Sequence, residues 1–266
     1  MRSVLSPAPV TRWVIGLVVG LVFAVPFIAT LLFTLTGPDS GYSLDRWVAL
    51  ADPANSARYA PVWTGLLNSL VLAVVTVGIV LFLFAPTMVL VALRFPNLRR
   101  GFEFIALLPI AIPAIVLVVG LAPIYLTIGR SVGTGAWTLA FAYGVLVLPF
   151  AYRSIQASID AVDLRTLTEA ARTLGAGWPS ILVRVVAPNL RSGLLAASLI
   201  SVAVVLGEFT IASLLNRPVL QTGLVVVNRQ DAWAAAIFTL LALAFAFVLL
   251  LVIGRIGRVG SERNAP

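Results

Sequence analysis

The sequence predicts an all-α membrane protein, a bundle of six transmembrane helices forming one domain over residues 1–266, and three observations predict it. Hydrophobic residues make up 61% of the 266 residues against 11% charged, with a mean hydropathy of +1.07, a balance that water cannot solvate as a globular surface. Six apolar runs have about the ~20 residues that a helix rising ~1.5 Å per residue needs to cross ~30 Å of hydrocarbon. None alternates with the two-residue period of a barrel strand, and lipid admits only helices and closed barrels as spanning backbone.

The runs are 13–35, 66–93, 104–128, 135–152, 193–215 and 232–254. Arg2 and Arg12 before the first run, with Ala24 near a cleavage region, also suit a secretory signal; the run is long and lacks a clean small-x-small exit, so a spanning helix is expected. Gly16 and Gly20 give it the GxxxG spacing of close helix packing. The connection 36–65 is polar and turn-rich, with Pro38, Asp39, Gly41, Asp52, Pro53, Asn55 and Pro61, and suits packing against a partner. Pro86, Pro109, Pro113, Pro123 and Pro149 are expected to kink or break their helices. Trp13, Trp47, Trp63, Trp137 and Trp233 fall near run ends, where indoles anchor at the membrane interface. Thirteen of the eighteen arginines lie in 1–12, 94–103, 153–192 and beyond 254, and five in the alternate connections, which places both termini in the cytoplasm by the positive-inside rule.

All eighteen basic residues are Arg, for the chain contains no Lys, no His and no Cys. A phosphate-loop lysine, a Schiff base, a thiolate, an imidazole base and a zinc or haem ligand set are therefore all excluded, and no cofactor or metal is expected on this chain. Its arginines are scattered between apolar runs with no basic stripe of interleaved aromatics, so membrane topology, not nucleic acid, explains the +8 charge.

The connection 153–192 is far longer than joining two helices requires. Leu164, Leu167, Ala170, Ala171 and Leu174 recur at helical spacing and predict an amphipathic helix with one apolar face. Its start is signalled either by the capping-box spacing of Thr166 and Glu169 or by Asp163, and its stop by Gly175. Pro179 fits the first turn of a second helix. Pro188 and Gly193 are expected to bend the chain into the fifth run. The result is a helix–turn–helix on the cytoplasmic face, suited to docking or to lying in the headgroup layer.

Glu169-Ala170-Ala171, Gly175 four residues after the second alanine, and the closing Pro188 resemble the EAA loop of permease subunits of binding-protein-dependent ABC importers. The family pattern ends in Ile-x-Leu-Pro; here Val185 and Ala187 stand at the Ile and Leu, both still apolar. Asn68-Ser69-Leu70, Leu108-Pro109 and Ile112-Pro113 look like that family too, so the likeness runs from about residue 66 to the C-terminus. The resemblance implies a type I importer permease in a bacterial inner membrane. Its partners would be a cytoplasmic ABC ATPase dimer carrying ATP and magnesium, a second permease chain of homologous kind, and an extracytoplasmic solute-binding protein. It further implies that Glu169, Ala170, Ala171, Gly175 and Pro188 form the coupling segment seated on the ATPase.

Glu208 is the sole ionisable residue within a run, and an acid there costs ~2.5–3.5 kcal/mol on insertion scales unless it faces protein or water. It is therefore a candidate pathway or gate residue, or the partner of an arginine. Its segment Val205-Leu206-Gly207-Glu208-Phe209-Thr210 resembles the GEF or GDF segment of polyamine, iron, thiamine and phosphonate importer permeases, with spermidine/putrescine-type permeases the nearest likeness and sulfate-type relatives sharing the signals. Asn68, Ser69, Thr76 and Asn216 are candidate polar lining, each equally able to bond helix to helix. A gradient-driven carrier is disfavoured by the single intramembrane charge and the absence of an inverted repeat. A membrane enzyme would have Glu208 working without His, Cys or Lys.

Overall fold

A computed structural model describes the backbone of residues 9–37 and 41–262, with side chains described for 10–37 and 41–255. The helices, in chain order, are α1 (Pro9–Leu35), α2 (Asp45–Leu50), α3 (Ser56–Ile79), α4 (Ala85–Arg94), α5 (Arg99–Ala111), α6 (Ala114–Ser131), α7 (Ala140–Asp160), α8 (Leu164–Thr173), α9 (Trp178–Ile181), α10 (Ala187–Asn189), α11 (Arg191–Gly207), α12 (Thr210–Leu214), α13 (Leu220–Asn228) and α14 (Ala232–Glu262). Among the described residues there is no β-strand, and Thr36 and Tyr42 form an isolated antiparallel bridge. Five helical stretches are long and apolar enough to cross a membrane, and six where the bent pair Trp178–Asn189 and Arg191–Gly207 counts as one. The chain divides into two compact units, Met1–Ala60 with Leu224–Ala244, and Pro61–Gly223 with Phe245–Pro266.

In the larger unit, prolines shape the helices. Pro86 and Pro188 each follow a five-residue π segment, Val80–Phe84 and Leu182–Val186, by two positions. Proline lacks an N–H and its ring crowds the carbonyl four residues back, and the wider π turn gives that ring room without ending the helix. At Pro113 the helix does end. Ile112 is extended (φ −100°, ψ 120°), as steric conflict with a following proline ring favours, so the third run is α5 and α6 joined by a break. Pro109, Pro123 and Pro149 lie inside helices that continue through them.

The fifth run was expected as one helix over 193–215 and is two. α11 starts at Arg191 after an 80° bend and stops at Gly207; Glu208 is extended (φ −80°, ψ 129°), and α12 begins at Thr210. The bend lies at Leu190, not at Gly193. Gly193 serves a close approach instead: a Cβ there would overlap Ser158 Oγ and come within 2.6 Å of the Ser154 carbonyl on α7. The connection after 215 contains α13. The core of this unit gathers Val80, Met88, Ala106, Val147, Ile155, Leu164, Ile181 and Leu190, which roots α8 to α10 in the bundle.

In the smaller unit the turn-rich connection 36–65 holds a helix, α2, fixed to its surroundings. Arg46 donates from Nε to the Thr36 carbonyl at 2.8 Å and sits 3.6 Å above the Trp233 ring, which stacks on Phe33. Trp47 Nε1 donates to Thr34 Oγ1 at 3.2 Å, and Arg58 pairs with Asp231 at 3.5 Å. Two tryptophans expected as interface anchors thus have protein partners.

Candidate coupling and translocation sites

α8 starts at a cap chosen from the two alternatives. Asp163 accepts from the Thr166 hydroxyl at 2.7 Å and from the Thr166 N–H at 3.2 Å. Those two hydrogen bonds, the hydroxyl's first, hold its carboxyl below the usual carboxylate range. Glu169 therefore caps nothing; its carboxylate accepts from Arg165 Nε at 3.0 Å, an exposed i, i+4 pair of the kind worth ~0.3–0.5 kcal/mol. The helix ends in a Schellman motif: Gly175, at φ +84°, donates to the Arg172 carbonyl at 2.9 Å and Ala176 to the Ala171 carbonyl at 3.0 Å. A Cβ at Gly175 would meet nothing within 4 Å, so backbone conformation, not space, is what this glycine supplies.

The single apolar face expected of α8 is there, but the bundle covers only part of it. Leu164 and Thr168 are buried and Ala171 half-buried against the bundle, while Leu167, Ala170 and Leu174 point away, Leu174 being 88% exposed. The two sets are neighbouring parts of one apolar stripe, and the Leu167–Leu174 side of it is left uncovered. Pro179 lies in the first turn of α9 as expected. Pro188 lies in α10, two residues before the bend.

At the far end of α11, Glu208 is half-buried in the helix break. One carboxylate oxygen accepts from the Tyr143 hydroxyl on α7 at 2.8 Å, the other from the Ile211 N–H in the first turn of α12 at 2.9 Å. The acid thus replaces the lost helical acceptor for α12 and ties the break to α7. No arginine among the described residues pairs with it. Tyr143 was absent from the sequence reading; its hydroxyl inside an apolar run was the available signal.

Asn68, Ser69 and Asn216 meet at one turn. Asn216, exposed and at φ +50°, is the left-handed residue closing α12, with its N–H to the Ser213 carbonyl at 3.1 Å and that of Arg217 to Ala212 at 2.8 Å. Asn68 Nδ2 donates to the Pro218 carbonyl at 2.8 Å, and buried Ser69 Oγ accepts from the Leu220 N–H at 2.9 Å. The two side chains satisfy backbone groups of the turn that no helix serves. A Cβ at Gly65 would lie 2.7 Å from the Val219 carbonyl carbon, so α3 and this turn touch backbone to backbone. Thr76 is buried with its hydroxyl unpartnered among the described residues. Sequence reasoning counted Arg217 as one more exterior arginine, yet it is 9% exposed, with Nη1 donating to the Thr134 carbonyl at 3.0 Å. The missed signal was its place one residue past a polar turn at the edge of an apolar run.

Apolar helices broken by prolines and by one hydrogen-bonded acid, with an amphipathic two-helix projection rooted in their core, define a helical transport component of a membrane. The chain belongs to the family of binding-protein-dependent transport system inner membrane components, whose sequence pattern matches residues 89–259. Its bundle is therefore that of a type I ABC permease. It is also similar to the Probable ABC transporter permease protein y4fN of Sinorhizobium fredii (strain NBRC 101917 / NGR234), 27% identical over 289 residues covering 99% of this chain and 49% of that protein. The chain thus spans about half the length of the curated relative it matches.

Proposed function

We propose that this chain is the non-catalytic transmembrane subunit of an ATP-driven solute importer, one domain forming half of the translocation pathway with a second, homologous permease chain. ATP and magnesium are bound by a separate ABC ATPase dimer, solute is delivered by an extracytoplasmic binding protein, and both termini face the cytoplasm of a bacterial inner membrane. The observation that carries this reading is α8, which buries Leu164 in the bundle while presenting Leu167, Ala170 and Leu174 outward. An apolar stripe left partly uncovered needs a second surface to cover the rest. Here that surface is the ATPase, and Glu169, Ala170, Ala171, Gly175 and Pro188 belong to the coupling segment. Motion taken up by α8 passes through α9 and α10 to the bend at Leu190 and along α11, 17 residues or ~26 Å, to the Glu208 break. The pathway residues Glu208, Asn68, Ser69 and Asn216 fix that far end.

A polyamine such as spermidine or putrescine is the cargo suggested by the segment around Glu208, beside iron(III), thiamine, phosphonate and sulfate. Its electrostatic basis is a carboxylate open to a cation, whereas both Glu208 oxygens already have donors. Purification in mild detergent from native membranes tests the central reading. An ATPase and a second permease are expected to accompany the native chain, and Leu174→Arg is expected to lose the ATPase while remaining in the membrane. Equal ATPase recovery with Leu174→Arg sinks the coupling assignment, and a pure homo-oligomer without ATPase sinks the importer.

A further inference from the structure

Between α11 and α14 lies an open crevice of about 400 Å³, lined by Leu199, Ile200 and Ala203 of one helix and Phe247, Leu250 and Leu251 of the other. Its volume falls within the ~300–1,000 Å³ of ligand clefts, and no polar side chain lines it. α14 supplies one of the spanning apolar stretches and α11 the main part of another, so the crevice opens on hydrocarbon. A chain lying in it meets protein atoms on several sides, where a convex helix surface offers one.

One end of the crevice carries charge. α12 and α13, of 5 and 9 residues, are too short to cross the membrane. α11 and α14 are therefore consecutive spans of opposite direction, and the start of α11 at Arg191 shares a membrane face with Arg255 of α14. Phe247, Leu251 and Arg255 recur every four residues, which puts Arg255 on the crevice side of its helix, one turn or ~6 Å beyond Leu251. Arg255 is exposed and has no ion-pair partner among the described residues. Beside it is Gly254, where even a Cβ would meet nothing within 4 Å, so the space around the guanidinium is open.

A helix of another chain could fill the crevice with side chains, but a separate acid would have to answer Arg255. An anionic phospholipid brings an acyl chain and a negative headgroup on one molecule, in the order in which crevice and arginine stand. We propose that the crevice and Arg255 form a binding site for one anionic phospholipid, its acyl chain between α11 and α14 and its headgroup on Arg255. The site rests on the membrane location of the two helices and is independent of the importer reading.

The chain, purified with its native partners in a glycoside detergent that carries no phosphate, is titrated with phosphatidylglycerol and with phosphatidylcholine of the same acyl chains. Bound lipid is counted by native mass spectrometry. Both lipids bring a phosphate and equal chains, and only phosphatidylglycerol has a net negative charge. One molecule of phosphatidylglycerol is expected to bind at about fivefold lower concentration than phosphatidylcholine. Arg255→Gln is expected to abolish that preference and Arg255→Lys to keep it. Ala203→Phe, filling the crevice from an exposed position, is expected to lower retention of both lipids, while Val119→Phe on the exposed side of α6 leaves it unchanged. Should Ala203→Phe fail to fold, Leu251→Trp fills the crevice from α14. Equal retention of the two lipids by the native chain overturns the proposal, as does a preference that survives Arg255→Gln. Full retention in the crevice-filling variants overturns it too. Loss of a second permease chain from those variants, with lipid retention unchanged, makes the crevice a contact between chains and overturns it likewise.

Discussion

Tyr143 and Glu208 stand 65 positions apart in the chain and meet at 2.8 Å, hydroxyl to carboxylate, where α11 breaks. The same carboxylate begins α12 through Ile211, so one side chain both interrupts a helix and starts the next.

Tyr143→Phe removes the donor to one oxygen of a half-buried acid and is expected to cost ~1–3 kcal/mol in unfolding of the solubilised chain. Glu208→Gln is expected to cost less, because its amide oxygen still accepts from Ile211. A double-mutant cycle should give a coupling of ~1–2 kcal/mol, and strictly additive effects would show that the bond contributes nothing. In the importer proposed above, Glu208→Gln should alter solute-stimulated ATP hydrolysis more than the yield of complex.

Gly193→Ala should push α7 and α11 apart, because its Cβ would overlap Ser158 Oγ and crowd the Ser154 carbonyl. Overpacking of this kind costs ~1–3 kcal/mol. Ser158→Gly should restore part of the loss and not all, since the carbonyl stays. Thermal unfolding of the three variants measures it; a neutral Gly193→Ala means the helices are free to separate.

Asp163 gives α8 a dependence on pH. Its carboxyl lies below the ordinary value of 3.8 because the folded helix hydrogen-bonds the charged form. The sign follows from linkage: stability is contributed in full above 3.8 and disappears as pH falls through the lower, folded value. Hydrogen exchange over 164–173 should therefore be faster in Asp163→Ala than in the native chain at neutral pH, with the two converging in acid. A constant difference down to pH ~2 would assign the effect to something other than the cap.

Gly175→Asn and Gly175→Ala separate conformation from bulk. At φ +84° asparagine is tolerated and alanine costs ~1 kcal/mol, although alanine is smaller. ATPase recovery should therefore follow Asn above Ala. The reverse order would mean that the partner, and not the turn, demands a small residue.

Hydropathy located the spanning runs because each needs lipid-length apolar sequence whatever its neighbours. α8, Gly175 and Pro179 were legible for a similar reason: capping and helical period act within a few residues. The break at Glu208 was not, because it depends on Tyr143 on another helix. Which part of the α8 face is covered was not legible either, because periodicity records which residues are apolar and not which neighbour covers them. The 216–222 turn was unreadable because Asn68 and Ser69 satisfy it from 150 and 151 positions away.

The glycines of this chain divide by what they cost to change. Gly16 and Gly20, in the GxxxG of α1, have nothing within 4 Å, whereas a methyl at Gly65 or Gly223 would strike the backbone of Val219 or Pro61. Main chain cannot rotate aside as a side chain can, so no compensating change nearby repairs those two positions. Across a set of functional variants, drift should accumulate in the apolar helix that resembles an interaction motif and be barred at two residues that carry no motif at all.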